Sequence, residues 1–376
     1  MTTDKLGIGV IGCGNISAAY MRLAPLFSGI EMRACADMSM DAATARADEF
    51  GLRAHSVDDM LAADDVDIVV NLTVPNAHFD VSRAVLEAGK HVYSEKPFVL
   101  TLEEGQELGR IAADKGLRVG SAPDTFLGGT HQLARHLVDE EAVGRITSGT
   151  CFVQSPGMEM WHPNPDFFFQ PGGGPVLDIG PYYISNLVQL LGPVARVTAM
   201  SSSASEYRTI TSQPRHGEKI KVETPTTIHA ILQFASGAQI TFCASWDVWE
   251  HTHTNMELYG TAGTLHVPDP NFFGGELRMT DKGSYVTPSV AWDHPLGQPN
   301  EGTQANYRCA GLADMAQAIL QGRPHRCADD FALHVVDVMT SILRAGETGQ
   351  VVEIASTCDR PAALDPDAAH ALLARG

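Results

Sequence analysis

Basic residues are scarce in this chain: 26 lysines and arginines face 45 aspartates and glutamates, a formal charge of −19. A polyanion partner such as a nucleic acid needs a basic face, so the balance argues against one. It also disfavours an anionic substrate, unless a local basic pocket overrides the field. Long apolar runs are missing as well. No stretch of about 18 apolar residues is present, so no membrane partner is expected. Met1-Thr2-Thr3-Asp4-Lys5 leads into a strand-like segment without the shape of a signal peptide, and the expected location is cytoplasmic. The cysteines (Cys13, Cys35, Cys151, Cys243, Cys309, Cys327, Cys358) are odd in number, scattered and without a C-x-x-C. That is the pattern of reduced core thiols, not of a disulfide framework. Internal repeats, heptad runs and low-complexity blocks are absent too. What is present is a 376-residue chain, 44% hydrophobic and 19% charged, the make-up of a globular protein with room for two cores.

The first third alternates between two periodicities. Leu6 to Ile11 is an apolar strand that ends in Gly12-Cys13-Gly14-Asn15-Ile16-Ser17, and a helical pattern follows to about Phe27. This is a G-x-G-x-x-G arrangement with serine in the third place. Gly12 permits the tight turn, and Gly14 lets the backbone, with Asn15 and Ile16, approach a pyrophosphate at the helix N-terminus. A second strand, Glu31 to Ala36, ends in Asp37, about where a carboxylate meets the adenosine ribose hydroxyls. A carboxylate there repels a 2′-phosphate, and Met38-Ser39-Met40 brings no cation to hold one, so NAD is expected ahead of NADP; Ser39 keeps the second option open. Strands at 66–72, 91–94 and 117–120 alternate with helices at 77–88 and 102–115. The pattern implies a doubly wound parallel sheet whose site lies at the carboxyl ends of its strands. Two such ends carry marked residues, Thr73-Val74-Pro75-Asn76-Ala77-His78 and Glu95-Lys96-Pro97. Pro97 makes Lys96 extended, and a lysine near an oxidised nicotinamide is pushed towards the neutral amine, which suits a base for an alcohol.

A second constellation lies in Gly172-Gly173-Gly174-Pro175-Val176-Leu177-Asp178-Ile179-Gly180-Pro181-Tyr182-Tyr183. Pro175 suits the first position of a helix, and Ile184, Leu187, Val188 and Leu191 give that helix one buried face. Asp178 and Tyr182, four apart, would then project from one side. Pro181 would cost a hydrogen bond to Leu177 if both are helical, with a kink as one outcome.

Taken with Glu257-Leu258-Tyr259-Gly260-Thr261-Ala262-Gly263-Thr264-Leu265, these motifs resemble the glucose–fructose oxidoreductase/inositol dehydrogenase family over nearly the whole length. The resemblance implies a Rossmann domain at 1–123 and an α/β domain at 124–354 whose large, mostly antiparallel sheet mediates homo-oligomers; the tail at 355–376 packs back or frays. It implies hydride exchange with hydroxyl or carbonyl carbons of sugars, polyols and related rings. It makes Lys96 the catalytic lysine and sets Glu95, Asn76 and Pro75 near the nicotinamide, with Thr73 and His78 in the same cofactor-binding run. Many members carry D-x-x-x-H in the second domain; here Tyr182 stands in place of the histidine. That is similar to the glucose–fructose oxidoreductase and dihydrodiol dehydrogenase branches.

The expected chemistry is hydride transfer between a carbohydrate C–H and nicotinamide C4. Tyr182 or Lys96 exchanges the hydroxyl proton, and Asp178 holds a neighbouring hydroxyl or orients Lys96. A phenol with an ordinary pKa of about 10 needs a nearby cation for such work at neutral pH. Trp161-His162-Pro163-Asn164-Pro165-Asp166-Phe167-Phe168-Phe169-Gln170-Pro171 is too rich in proline for a helix or a central strand. It is a loop pinned by its aromatics, a wall of the substrate pocket offering Trp161 and His162, or both. His251 and His253 would share one face of a strand; no third ligand has a recognisable spacing, so no metal is expected, and His253 is a candidate pocket contact. Strands at 226–234, 239–246, 256–259 and 264–267 suit a meander. Two other classes stay open, a redox-neutral enzyme that retains and recycles its nucleotide and a non-catalytic nucleotide sensor. Within dehydrogenases the reading leans to an aldose.

Overall fold

The computed structural model describes residues 5–284 and 286–374; the outermost residues of the expected N-terminal segment and tail lie outside the described residues. The chain forms two compact units, one made of residues 1–132, 293–336 and 361–376, the other of 133–292 and 337–360. Where the sequence suggests one boundary, after 123, the chain passes between the units at 132/133 and 336/337, inside helices, and at 292/293 and 360/361, outside them, so both units are discontinuous.

The first unit is built on strands β1 (Leu6–Ile11), β2 (Ile30–Ala36), β3 (Arg53–His55), β4 (Ile68–Asn71), β5 (His91–Ser94) and β6 (Val119–Ser121). They are parallel, in the order β3-β2-β1-β4-β5-β6. Every residue of β1 and β4 is buried, as expected of a sheet covered on both faces. The connecting helices are α1 (Asn15–Leu23), α2 (Met40–Phe50), α3 (Val57–Ala62), α4 (His78–Glu87) and α5 (Leu102–Lys115). Local chemistry fixes their ends. Ser39 caps α2, and Thr101 and Glu104 form a reciprocal capping box on α5, which stops at left-handed Gly116.

Helix α6 (Gly129–Asp139) leads into the second unit, whose nine-stranded sheet runs β16-β15-β14-β13-β7-β12-β11-β8-β17. Here β7 is Ile146–Gln154, β8 Val194–Ser202, β11 Thr227–Phe234, β12 Gln239–Ser245, β13 Met256–Gly260, β14 Gly263–Val267, β15 Leu277–Asp281, β16 Ser289–Val290 and β17 Val352–Glu353, while β9 (Tyr207–Thr209) and β10 (Lys219–Lys221) form a separate hairpin. The expected meander is therefore interrupted: β7 lies between β12 and β13 and runs parallel to β12. Hairpin turns join β11 to β12 and β13 to β14, but the ten residues between β12 and β13 carry the chain past a neighbour. Strand β11 alternates buried and open positions, which leaves one sheet face with exposed Met200 and Ile231.

The helix expected from Pro175 is two helices, α7 (Pro175–Asp178) and α8 (Gly180–Leu191), meeting at Ile179. Proline explains the break. Pro181 cannot donate to Leu177, so the first turn closes with Ile179 N–H on Pro175 O at 3.2 Å, and the second restarts with Tyr182 N–H on Ile179 O at 3.1 Å. In α8, Pro181 falls in the first turn, where its missing N–H costs nothing. The first unit is completed by α9 (Ala310–Gln321), the start of α10 (Asp329–Thr348) and α11 (Pro366–Leu372). Near the end of the described chain, Leu373 bridges Phe27, and Gln317 donates to Ala371 O at 2.8 Å.

Candidate active site

The glycine loop has the geometry its spacing predicts. Gly12 has φ +104°, and a Cβ there would lie 2.6 Å from Leu72 O, so only glycine fits. A Cβ on Gly14 would meet nothing within 4 Å, and α1 has no side-chain cap and no acid in its first turn. The helix N-terminus is thus open and its N–H groups are offered, which fits a pyrophosphate. Asn15 is exposed and Ile16 half-buried beside it. Ser17 fills the third-glycine position without strain: it is fully buried and its hydroxyl donates to Gly14 O at 2.6 Å. Asp37 closes the loop from the end of β2. One of its oxygens accepts Cys13 N–H at 2.8 Å, the other Ser39 N–H at 2.9 Å. Arg46 on α2 reaches the same loop, donating to Gly14 O at 3.2 Å and pairing with Glu49 at 2.5 Å. Nothing adjacent to Asp37 in sequence announces it.

The ends of β4 and β5 are tied together. Asn71 is buried and accepts from Thr73 at both the backbone N–H (3.2 Å) and the hydroxyl (2.7 Å). Pro75 opens a single turn of helix over Pro75–Ala77, with Asn76 exposed. His78 is buried, its Nδ1 2.7 Å from Pro97 O and its Nε2 3.0 Å from Thr73 O. Burial pushes its pKa down against the pull of those carbonyls. The neutral ring donates to one of them at a time, Pro97 O being the closer. His78 therefore braces the Thr73 loop against the Lys96–Pro97 turn, whose peptide bond is cis. Lys96 is half-buried.

Glu95 is buried and accepts from three donors: Tyr20 hydroxyl at 3.0 Å, Arg308 at 2.6 Å and the Lys96 backbone N–H at 2.9 Å. Burial pushes its carboxyl up, but Arg308, Lys96 and these hydrogen bonds outweigh it and hold the group below the usual range. Close by, buried Asp124 accepts Gly311 N–H at 3.0 Å, and burial pushes its pKa up to about 6. Sequence reasoning missed Tyr20, Arg308 and Asp124; none stands at a motif spacing.

In the second unit, Asp178 ends α7 and Tyr182 lies buried in the first turn of α8. Next to it, Tyr183 is a packing residue: its hydroxyl takes a hydrogen bond from Asn255 at 3.0 Å, and burial pushes its pKa well up. The aromatic loop divides by side chain. Phe168 and Phe169 join Trp246, Met158, Ile210 and Ile220 in a buried cluster, whereas Trp161 is 64% exposed. His162 stands edge-on to Trp161, Phe167 and Phe168, and its Nδ1 accepts Asn164 N–H at 3.1 Å. His251 and His253 lie in a loop before β13, not on a strand, yet their rings stack, and His253 also stacks on Phe152 at 4.2 Å. No group of three metal-ligating side chains occurs among the described residues, and no described helix is long and apolar enough to cross a membrane.

A glycine cradle on the first strand–helix turn of a β3-β2-β1-β4-β5-β6 sheet, closed by an acid from the second strand, defines a Rossmann dinucleotide-binding protein. The chain belongs to the GFO/IDH/MocA oxidoreductase family. Residues 6–122 match the oxidoreductase family's NAD-binding Rossmann fold, residues 131–266 match the GFO/IDH/MocA C-terminal domain, and the two matches take in more than half of the chain. It is 27% identical to D-xylose 1-dehydrogenase (NADP(+)) 2 of Haloferax volcanii, over 92% of this chain and 99% of that one. It is 26% identical to 1,5-anhydro-D-fructose reductase of Ensifer adhaerens, over 92% and 98%. Among solved structures, levoglucosan dehydrogenase in complex with NADH and L-sorbose shares the fold with a TM-score of 0.81 at 22% identity, covering 94% of this chain and all of the other.

Proposed function

We propose that the protein is an NAD-dependent dehydrogenase that oxidises a hydroxyl-bearing carbon of a sugar, with an aldose as the first candidate. The observation that carries this reading is the Glu95–Lys96–Pro97 turn, which sets a half-buried lysine at the end of β5 in a nucleotide-binding sheet. The relatives named above, D-xylose 1-dehydrogenase and 1,5-anhydro-D-fructose reductase, take sugars or anhydrosugars by name, which supports a carbohydrate substrate. NAD bound at the glycine loop would supply nicotinamide C4 as hydride acceptor. The chain's residues do the rest. The Gly12–Ile16 backbone holds the pyrophosphate, and Asp37 receives the ribose hydroxyls and disfavours a 2′-phosphate. Thr73, Pro75 and Asn76 bound the nicotinamide end, with His78 and Glu95 behind them. Lys96 or Tyr182 takes the proton from the substrate hydroxyl, and Asp178 accepts a hydrogen bond from a neighbouring one. Trp161, His162 and His253 offer ring faces to a sugar. The open sheet face with Met200 and Ile231 is the candidate surface for a homo-oligomer.

An absorbance screen of aldoses, inositols and anhydrosugars, with NAD and NADP in parallel, tests the reading. NAD reduction by at least one aldose is the expected result. If no polyhydroxylated compound reduces either cofactor, the dehydrogenase reading fails.

A further inference from the structure

We infer that Arg308 is a positioning residue for Lys96, acting through the buried carboxylate of Glu95. The inference rests on the reading of Lys96 as a proton carrier. Glu95 turns back on its own chain: one oxygen accepts the N–H of Lys96 at 2.9 Å, so the carboxylate clamps the peptide from which the lysine side chain leaves. Its other oxygen is held by Arg308 at 2.6 Å and by the Tyr20 hydroxyl at 3.0 Å. Take away the arginine and a carboxylate in a buried site loses its strongest partner, so it must rotate towards water or take up a proton. Rotation releases the Lys96 N–H, and protonation weakens its hold, because a neutral carboxyl accepts less strongly than a carboxylate.

Arg308 is itself held in place. Its guanidinium lies 5.8 Å from the centre of the Tyr20 ring. Cys309, which follows it, has φ +90°, a left-handed conformation that a non-glycine residue adopts at a cost. The Cys309 thiol donates to Tyr20 O at 3.4 Å. Upstream, Glu301 accepts from Arg22 at 3.0 Å and from Asn306 at 2.7 Å. The segment that returns to the first unit is thus fastened to α1, the helix that begins at the glycine loop. The Tyr20–Glu95–Arg308 assembly joins the nucleotide loop to the lysine turn.

Arg308→Ala, Arg308→Gln and Arg308→Lys test the inference in the full-length protein. Loss of the charge should lower kcat by about 10- to 100-fold, the scale of a misplaced catalytic group, with KM for the sugar and the NADH dissociation constant little changed. Arg308→Lys should recover part of the loss, and added ethylguanidinium should partly rescue Arg308→Ala. In the ligand-free protein, hydrogen exchange of the peptide spanning residues 92–98 should quicken in the Ala and Gln variants and less in the Lys variant. Unchanged kcat with unchanged exchange overturns the inference. So does a parallel loss of kcat, NADH affinity and protection throughout the unit, which would mark Arg308 as merely structural. If the unsubstituted protein oxidises no sugar, the reading of Lys96 falls instead, and the exchange measurement still decides whether Arg308 holds the turn.

Discussion

Around Lys96, the neighbouring Glu95 is fixed by Tyr20 and Arg308, 75 and 213 positions away in the chain. Around Tyr182, every residue of Gly180–Leu191 is buried and none is charged. One candidate proton carrier is thus set by a polar assembly drawn from distant segments, the other by a local helix that is uncharged and buried throughout. A polar assembly transmits charge and direction, so changes among its members should alter the reactivity of Lys96. A buried, uncharged helix transmits chiefly shape, so changes in it should alter the fit of a substrate before they alter chemistry.

Two substitutions set the upper end of that contrast. Lys96→Ala should lower kcat about 10³-fold or more while leaving NADH binding measurable, in keeping with the loss of a general base and its charge. Tyr182→Phe removes a single hydroxyl and keeps the packing. It should cost about 100-fold in kcat if the phenol carries the proton, with thermal stability little changed. Steady-state kinetics on the sugar found by the screen compare the two. Unchanged turnover in Tyr182→Phe would leave Lys96 as the sole carrier and reduce α8 to a packing element.

The same contrast explains what could be read from the sequence. Strand β5 and helix α5 lie at the residues expected, His91–Ser94 and Leu102–Lys115. Local signals bound the helix: Thr101 and Glu104 cap its start, and Gly116 ends it. The glycine loop, Asp37 and the Lys96 turn are legible for a related reason, since each stands at a strand end and carries its own spacing. Arg308 does not. Its partner is set by a chain return that no composition shift announces, and Arg46 reaches the glycine loop from the middle of α2. Pro181 carries the signal for the break at Ile179, but the apolar spacing beyond it continues in register and masks the break. The insertion of β7 between β12 and β13 is a long-range choice that hairpin signals cannot encode.

Charges in the polar assembly should also show in the pH dependence of stability. Burial raises Asp124 to about 6, above its unfolded value near 3.9, so the folded state holds that proton more tightly. Its contribution is fully present below about pH 4 and is lost as pH rises through about 6, up to about 3 kcal/mol in all. Glu95 is shifted down and acts in the opposite sense, its contribution fading as pH falls through the acid range. Asp124→Asn keeps an acceptor for Gly311 N–H and removes the titration. The difference in unfolding free energy between the two proteins should therefore change between pH 4 and 7, the variant gaining relative stability as pH rises. A difference that stays flat across that range would place the Asp124 proton elsewhere.

Gly180 gives the smallest expected effect and the finest division between the two regions. A Cβ there would lie 3.4 Å from Met339 Sδ and 3.7 Å from Ile184 Cδ1, ordinary contact distances. Replacing glycine by alanine in the first turn of α8 also removes unfolded-chain entropy, so Gly180→Ala should shift stability by no more than about 1 kcal/mol, in the favourable direction if the Met339 side chain yields slightly. Packing therefore gives no reason for glycine at this position. If the glycine instead leaves room for a substrate beside Tyr182, the alanine variant should keep its melting temperature and its NADH affinity while KM for the sugar rises several-fold. A rise in KM with stability intact would tie α8 to substrate fit; kinetics identical to the unsubstituted protein would free the position from both roles and leave the shape of that turn to Pro181 alone.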